Sequence, residues 1–251
     1  MTGYNPARYG EAVGDQYDVL YPGVAAETEA TVELLIELLQ ICPDQSVLEF
    51  GVGTGRLALP LRHRGIRVAG IDGSQTMVDQ LLSKPGGDQI QVTIGDYRDS
   101  GVAGRFGMVI LGFNGILDPR GHRAQLDIFE NAARHLHPEG LFVIEALVLS
   151  DIQRNGEWSV YPRYVGIDHV ELQLARYDLE TNRILRTLVH LRPEGLRFIE
   201  VADCYSSPGE LDVMAEVRGF DRIARYRNWA QAEFTSSSVS HVSIYRCRFK
   251  E

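Results

Sequence analysis

Short apolar runs alternate with amphipathic stretches along the first 150 residues of the chain. Within residues 25–41, Val32, Leu35, Leu38 and Leu39 recur at helical spacing and predict one amphipathic helix. Apolar runs at 47–50, 67–71, 90–94, 106–111 and 141–149 predict five strands. Between them lie predicted helices over about 54–64, 74–82 and 118–137. Pro60 inside the first of these predicts a kink, because proline lacks the backbone donor. Ser74 reads as the N-cap of the second. Asp118 and Pro119 read as cap and first turn of the third, with Leu126, Phe129, Ala133 and Leu136 as its apolar stripe and the Pro-Glu-Gly at 138–140 as its stop. Nearly all-apolar strands separated by helices predict a parallel sheet covered on both faces.

The rhythm changes between 155 and 205. Val170, Leu172 and Leu174 alternate with Glu171 and Gln173, and turn signals stand at 178–182 and 192–195. Three antiparallel strands are predicted there, a β-meander inserted into the α/β domain. Helical spacing then returns behind Ser207 and Pro208, with Leu211, Met214 and Ala215 facing inward and Gly219 as the stop. A final pair of strands is predicted at 221–229 and 240–249.

The composition suits a globular protein: 44% of the 251 residues are hydrophobic and 24% charged. The formal charge of −9 argues against a nucleic-acid binder, which needs a cationic footprint. Three cysteines far apart, Cys42, Cys204 and Cys247, give neither a disulfide framework nor a metal knuckle. His135 and His137, two apart on a predicted helix, point different ways and are not a metal pair, so no metal is expected. No stretch has the length of a signal core or a membrane span, and a cytoplasmic protein is expected.

The chemistry concentrates in residues 47–61, VLEFGVGTGRLALPL, where an apolar run turns through three glycines into a helix. Glycines Gly51, Gly53 and Gly55 stand at alternate positions. Arg56 occupies the place that a dinucleotide-binding turn keeps for its third glycine, and Glu49 just ahead repels a pyrophosphate. Both features count against the alternative of a nucleotide-dependent oxidoreductase. S-adenosylmethionine carries no phosphate; its sulfonium and ammonium suit an acid at the turn, and bare glycines permit close approach. Asp72 follows about 20 residues beyond the first glycine, at the end of the second strand, where a ribose acid belongs. Asp96, after the third strand, offers an acceptor for the adenine amine, and Tyr97 a ring to lie against it.

Together, VLEFGVGTGR, GIDGS, IGDYRD, FGMVILGFNGIL and RHLHPEGLFVIEA resemble the class I S-adenosylmethionine-dependent methyltransferases over residues 47–148. That resemblance implies a Rossmann-like seven-stranded sheet, parallel with an antiparallel last strand. It implies cofactor contacts at Glu49, Gly51, Gly53, Gly55, Arg56, Asp72, Gly73, Ser74, Met77, Asp96 and Tyr97, with Gly112 and Phe113 at the methionyl end and Asn114 toward the acceptor. Gly73 departs from the family, which often carries a bulkier residue there. The complete set of acids and glycines argues against a non-catalytic S-adenosylmethionine-binding protein.

The opening YGEAVGDQYDVLYPG resembles that of small-molecule methyltransferases, among them N-methyltransferases of nucleotide-linked amino sugars, which also carry a β-insertion after the fifth strand. Tyr17 and Tyr21 share a helical face. By that resemblance Tyr17 lies near the methionyl end and Tyr21 near the transferred methyl. Tyr9, Trp158 and Tyr161 are further candidates for the acceptor side, and His122 or His241 for a general base. The expected organisation is a helical lid over 1–45, a cofactor-binding domain over 46–154 and 206–251, and an antiparallel β insertion over 155–205 that serves the acceptor or contacts another copy, a homodimer being compatible with it. The expected reaction is methyl transfer to nitrogen or oxygen of a small acceptor in secondary or sugar metabolism, with neither nucleic acid nor membrane as partner.

Overall fold

The computed structural model describes residues 5, 7–14, 17–20, 22–149 and 157–248. Three helices open the chain: α1 (Arg8–Val13), α2 (Tyr17–Leu20) and α3 (Pro22–Leu39). There follow β1 (Ser46–Phe50), α4 (Ala58–His63), β2 (Arg67–Asp72), α5 (Gln75–Ser83), β3 (Gln91–Ile94), β4 (Phe106–Leu111), α6 (His122–His135) and β5 (Leu136–Leu147). A separate block contains β6 (Ser159–Val165), β7 (Val170–Asp178), β8 (Arg183–Arg192) and β9 (Gly195–Cys204). The chain returns through α7 (Pro208–Val217), β10 (Phe220–Tyr226) and β11 (Ser240–Cys247).

The large sheet has the order β10-β11-β5-β4-β1-β2-β3. Its pairs from β5 to β3 are parallel, and β11 runs antiparallel to both β5 and β10. Successive side chains point to opposite faces, and the core divides accordingly. Leu48, Phe50, Ile71, Phe142 and Ile144 pack on one side with α6 and α7. Val47, Val68, Met108, Leu141 and Val143 pack on the other with α3 and α4. Both faces of the central strands β1 and β4 are thus buried, which is why they read as continuous apolar runs. Val32, Leu34, Leu35 and Leu39 of α3 belong to the second cluster, so α3 is a packing layer of the sheet.

Three local predictions change. Residues 159–204 form four antiparallel strands in the order β6-β7-β8-β9, not three. Strand β6 was hidden because most of its residues are exposed on both faces and a register irregularity between Pro162 and Tyr164 breaks the alternation. Helix α6 starts at His122 rather than Asp118: the Arg120 amide donates to Asp118 Oδ1 (2.8 Å) and the Gly121 amide to the Asp118 carbonyl (3.0 Å), so Asp118 closes a turn ahead of the helix. The helix passes directly into β5, because Leu136 pairs with Phe106 of β4. Pro60 is the third residue of α4, in its first turn, where a missing amide costs least, rather than in the helix interior. Ser74 caps α5 as expected, and Ser207 forms a reciprocal capping box with Glu210 on α7.

Candidate active site

Strands β1, β2 and β4 deliver their carboxyl ends to one edge of the sheet, and the glycine turn lies there. Gly51, Gly53 and Gly55 all have positive φ (69°, 53° and 85°), a conformation that side chains disfavour. Their surroundings differ. A Cβ on Gly51 would meet nothing nearer than the Tyr97 ring at 3.8 Å, and one on Gly53 would meet Met77 Cε at 3.5 Å. A Cβ on Gly55 would lie 2.2 Å from Leu81 Cδ1. The first two glycines keep a groove open beside Met77 and Tyr97. The third lets the turn pack on α5.

Glu49 is buried behind this groove, on the face shared with Val47. Burial pushes its carboxyl up to about 8, and Asp72 adds to the rise; Arg56 and the Ala58 amide offset only part of it. Its Oε2 is buried without a hydrogen-bond partner. Such an oxygen lacks a positive or donor group, and the ammonium of S-adenosylmethionine is one. Asp72 is also raised by burial, against three backbone amides. It accepts from the Gly53 amide (2.7 Å) and the Ser74 amide (2.8 Å), tying the glycine turn to the start of α5. With three amides on its four lone-pair sites, the carboxylate keeps one for a ribose hydroxyl.

Asp96 differs from its expected setting. Burial raises its carboxyl, but Arg120, the Arg98 amide and the Arg98 charge outweigh that and leave it below its usual value. Arg120 contacts both Asp96 oxygens and reaches Asp118 as well (Nε to Oδ1 2.8 Å). Tyr97 stacks on Phe50 (centroids 5.9 Å, interplanar angle 14°) and donates its hydroxyl to the Gly115 carbonyl (3.0 Å).

After β4 the chain makes a strained turn: Phe113 and Asn114 have φ of 52° and 64°. Glu145 of β5 holds it. Its Oε2 accepts from the Phe113 amide (3.0 Å) and its Oε1 from Trp229 Nε1 (2.7 Å). Phe113, 43% exposed, carries the Arg56 guanidinium 4.7 Å above its ring, beside Gly112. Asn114 Oδ1 accepts from the Leu147 amide (2.6 Å), so this side chain braces the turn.

The N-terminal segment is tied to the same edge. Glu11 of α1 accepts from Ser74 Oγ (2.8 Å) and Thr76 Oγ1 (2.8 Å), bonds that hold its carboxyl below the usual value. Asp18 of α2 accepts from Thr54 Oγ1 (2.7 Å), inside the glycine turn, and pairs with Lys84 Nζ (2.6 Å). Gly10 permits this approach, since a Cβ there would stand 2.4 Å from Ser74 Cβ.

Comparison with known proteins agrees with this geometry. The methyltransferase-domain family profile matches residues 47–140. The structure of the CcbJ methyltransferase of Streptomyces caelestis is similar with a TM-score of 0.87 and 28% identity, covering 98% of this chain and 100% of that one. The chain is a class I S-adenosylmethionine-dependent methyltransferase. A cypemycin N-terminal methyltransferase from a Streptomyces species is 22% identical over 241 residues, 93% of this chain and 95% of its own. The sugar N-methyltransferase KedS8 of Streptoalloteichus sp shares the fold at TM-score 0.68 and 19% identity, with 99% of both chains covered. The oxidoreductase alternative is thereby set aside.

A cavity of about 350 Å³ separates one face of the β6–β9 sheet from the end of β5. Leu147, Leu149 and Val239 form one wall; Tyr161, Gln173 and Arg186 stand on the other. Leu147 is the residue that Asn114 braces, so cavity and strained turn share a wall. Arg186 pairs with Asp203, and its Nε is buried without a partner. Tyr9 and Tyr17 pack with Val13 against Leu188 and Ile199 of the insertion.

Three expected residues stand elsewhere. Trp158 is 54% exposed and does not line the cavity, because it precedes β6 at the sheet's outer edge. His241 is fully buried, bonded through Nδ1 to Ser243 Oγ (2.8 Å), and does not line the cavity; burial lowers it to about 3, with Arg225 adding to the drop. His122, partly buried at the start of α6, places Nε2 3.4 Å from the Tyr205 carbonyl. Tyr21 lies outside the described residues. Among the described residues, no helix is long and apolar enough to cross a membrane.

Arg120, Glu145, Glu11 and Asp18 were missed from the sequence. A lone acid in an otherwise apolar strand was a signal for Glu145. Arg120 gave none.

Proposed function

We propose that this methyltransferase transfers a methyl group to the amine of a small natural-product or amino-sugar acceptor. The observation that carries this reading is the cavity beside the 112–114 turn. Among the described residues lining it there is neither imidazole nor carboxylate, while Tyr161, Gln173 and Arg186 offer hydrogen bonds to a polar, oxygen-rich molecule. An amine arriving neutral needs no base to attack, whereas an alcohol does. Two of the similar proteins act on amines by their names, at a peptide N-terminus and on a sugar nitrogen.

S-adenosylmethionine supplies an electrophilic methyl on a sulfonium. The chain's own task is placement. Glu49 meets the ammonium, Asp72 the ribose, and Gly51 and Gly53 let the backbone approach. Asp96 and Tyr97 border the adenine, with Arg120 orienting Asp96. Gly112 and Phe113, fixed by Glu145, border the methionyl end. Helices α1 and α2, with Tyr9 and Tyr17, form the lid that excludes water, and holding the partners in line carries much of the rate.

The test is methyl transfer from radiolabelled S-adenosylmethionine to matched pairs of amino sugars and their hydroxyl counterparts, with products weighed by mass spectrometry. Label is expected on the amine member alone. Transfer to the hydroxyl member would overturn the nitrogen assignment.

A further inference from the structure

The insertion contains a group of side chains that methyl transfer does not use. Glu171 of β7 and His190 of β8 are directly paired across the sheet, and His169 stands two residues before Glu171, at the β6–β7 turn. We propose that His169, Glu171 and His190 bind a divalent transition-metal cation of the zinc class.

The distances converge on one oxygen. His169 Nε2 lies 3.0 Å and His190 Nδ1 3.2 Å from Glu171 Oε1. One ligand atom from each residue lies within 4.8 Å of the others. Donors bonded at about 2.0–2.1 Å around a tetrahedral ion stand roughly 3.4 Å apart, so small side-chain shifts suffice. Glu171 is 7% exposed and His190 3%.

A proton shared between the side chains satisfies only part of this group. His169 and Glu171 make a hydrogen bond. Both ring nitrogens of His190 are buried with no hydrogen-bond partner, although Nδ1 is so near the carboxylate. Buried polar groups normally find partners. A cation seated among the three donors takes a lone pair of His190 as well as the Glu171 charge.

The donor set selects the ion. Two imidazoles and one carboxylate suit zinc, iron, cobalt or nickel, whereas calcium and magnesium require six or more oxygens. Three protein ligands leave one coordination position open. The Tyr164 ring stacks on His169 (centroids 4.7 Å) and fixes its plane. Along β7, Glu171 shares a face with the cavity-lining Gln173; along β8, His190 shares one with Leu188, which packs on Val13 of α1. The ion clips the β6–β7 turn to β8 beyond the cavity, on the face that packs on α1.

The full chain, stripped with chelator, is titrated with Co²⁺ alone and followed by visible absorption. Ligand-field bands that saturate at one equivalent and are displaced by Zn²⁺ are expected. Glu171→Gln, His190→Gln and His169→Ala, the last at a half-buried position, should each abolish them. Calorimetric S-adenosylmethionine binding, unchanged in the variants, reports that they are folded and does not depend on the acceptor. Should the buried variants fail to fold, His169→Ala decides in their place. Absence of a saturable band, a thiolate charge-transfer band, or binding that survives in the folded variants would overturn the site.

Discussion

The glycine turn and the β6–β9 sheet are built differently. The turn closes on neighbours that are near in sequence or one strand away. Gly51 and Gly53 stand two to four residues from Glu49, and Asp72, at the end of the adjacent strand, receives the Gly53 amide. The sheet draws its cavity wall from alternate positions of separate strands, such as Tyr161 on β6, Gln173 on β7 and Arg186 on β8. A groove that depends on backbone shape is written in one short motif. A wall that depends on register is written nowhere in particular.

The sharpest way to break the comparison lies within the turn itself. Gly55→Ala places a methyl on Leu81 at positive φ and should destabilise the fold by roughly 2–4 kcal/mol, read as a lower denaturation midpoint. Gly51→Ala meets only the Tyr97 ring, at an ordinary contact distance of 3.8 Å, and should cost about 1–2 kcal/mol of backbone strain, while S-adenosylmethionine binding falls. Equal stability losses would erase the distinction between packing and groove glycines.

Asp72→Ala should weaken calorimetric S-adenosylmethionine affinity by about two orders of magnitude, since hydrogen bonds to a charged group contribute about 1.5–3 kcal/mol each. A change of less than threefold, about 0.7 kcal/mol, would reduce Asp72 to a brace between the Gly53 and Ser74 amides.

Glu49 tests the electrostatics. Its folded-state value, raised by burial from 4.5 to about 8, means that the folded chain prefers the neutral acid. Its contribution to stability is therefore full below pH 4.5 and is lost as pH rises toward 8. Bound ammonium favours the carboxylate, so cofactor affinity should rise over the upper part of that window. Glu49→Gln should weaken binding several-fold and flatten both slopes, measured by thermal denaturation and calorimetry across pH.

The smallest effects belong to the insertion. Tyr161→Ala should raise the acceptor KM about tenfold, the value of one well-placed contact, with S-adenosylmethionine affinity unchanged. Trp158→Ala should leave both within error, because its side chain faces solvent. A reversed order would exchange the wall and the rim of the cavity.

Legibility followed the same division. The strand at 106–111 coincides with β4, and Ser74 and Ser207 were recognised as caps, because each rests on local spacing. Strand β6 escaped, since Val160 and Val165 are exposed and the Pro162–Tyr164 irregularity removes the alternation. His241 read as a possible base by its place at the start of a strand; only the packing of β10 and β5 on either side shows it sealed. Arg120 was invisible because its partners Asp96 and Asp118 meet through a turn that the spacing assigned to a helix.

By itself the sequence determined the parallel sheet, the strained glycine turn and the acids Glu49 and Asp72, because backbone conformation and strand-end position are local properties of neighbouring residues. Tertiary structure alone decided which glycine packs and which leaves room, how Glu145 and Arg120 brace the site, and which side chains of the insertion face the cavity. Those outcomes depend on pairing between distant segments, and a shift of one residue in register turns every side chain of a strand to its other face.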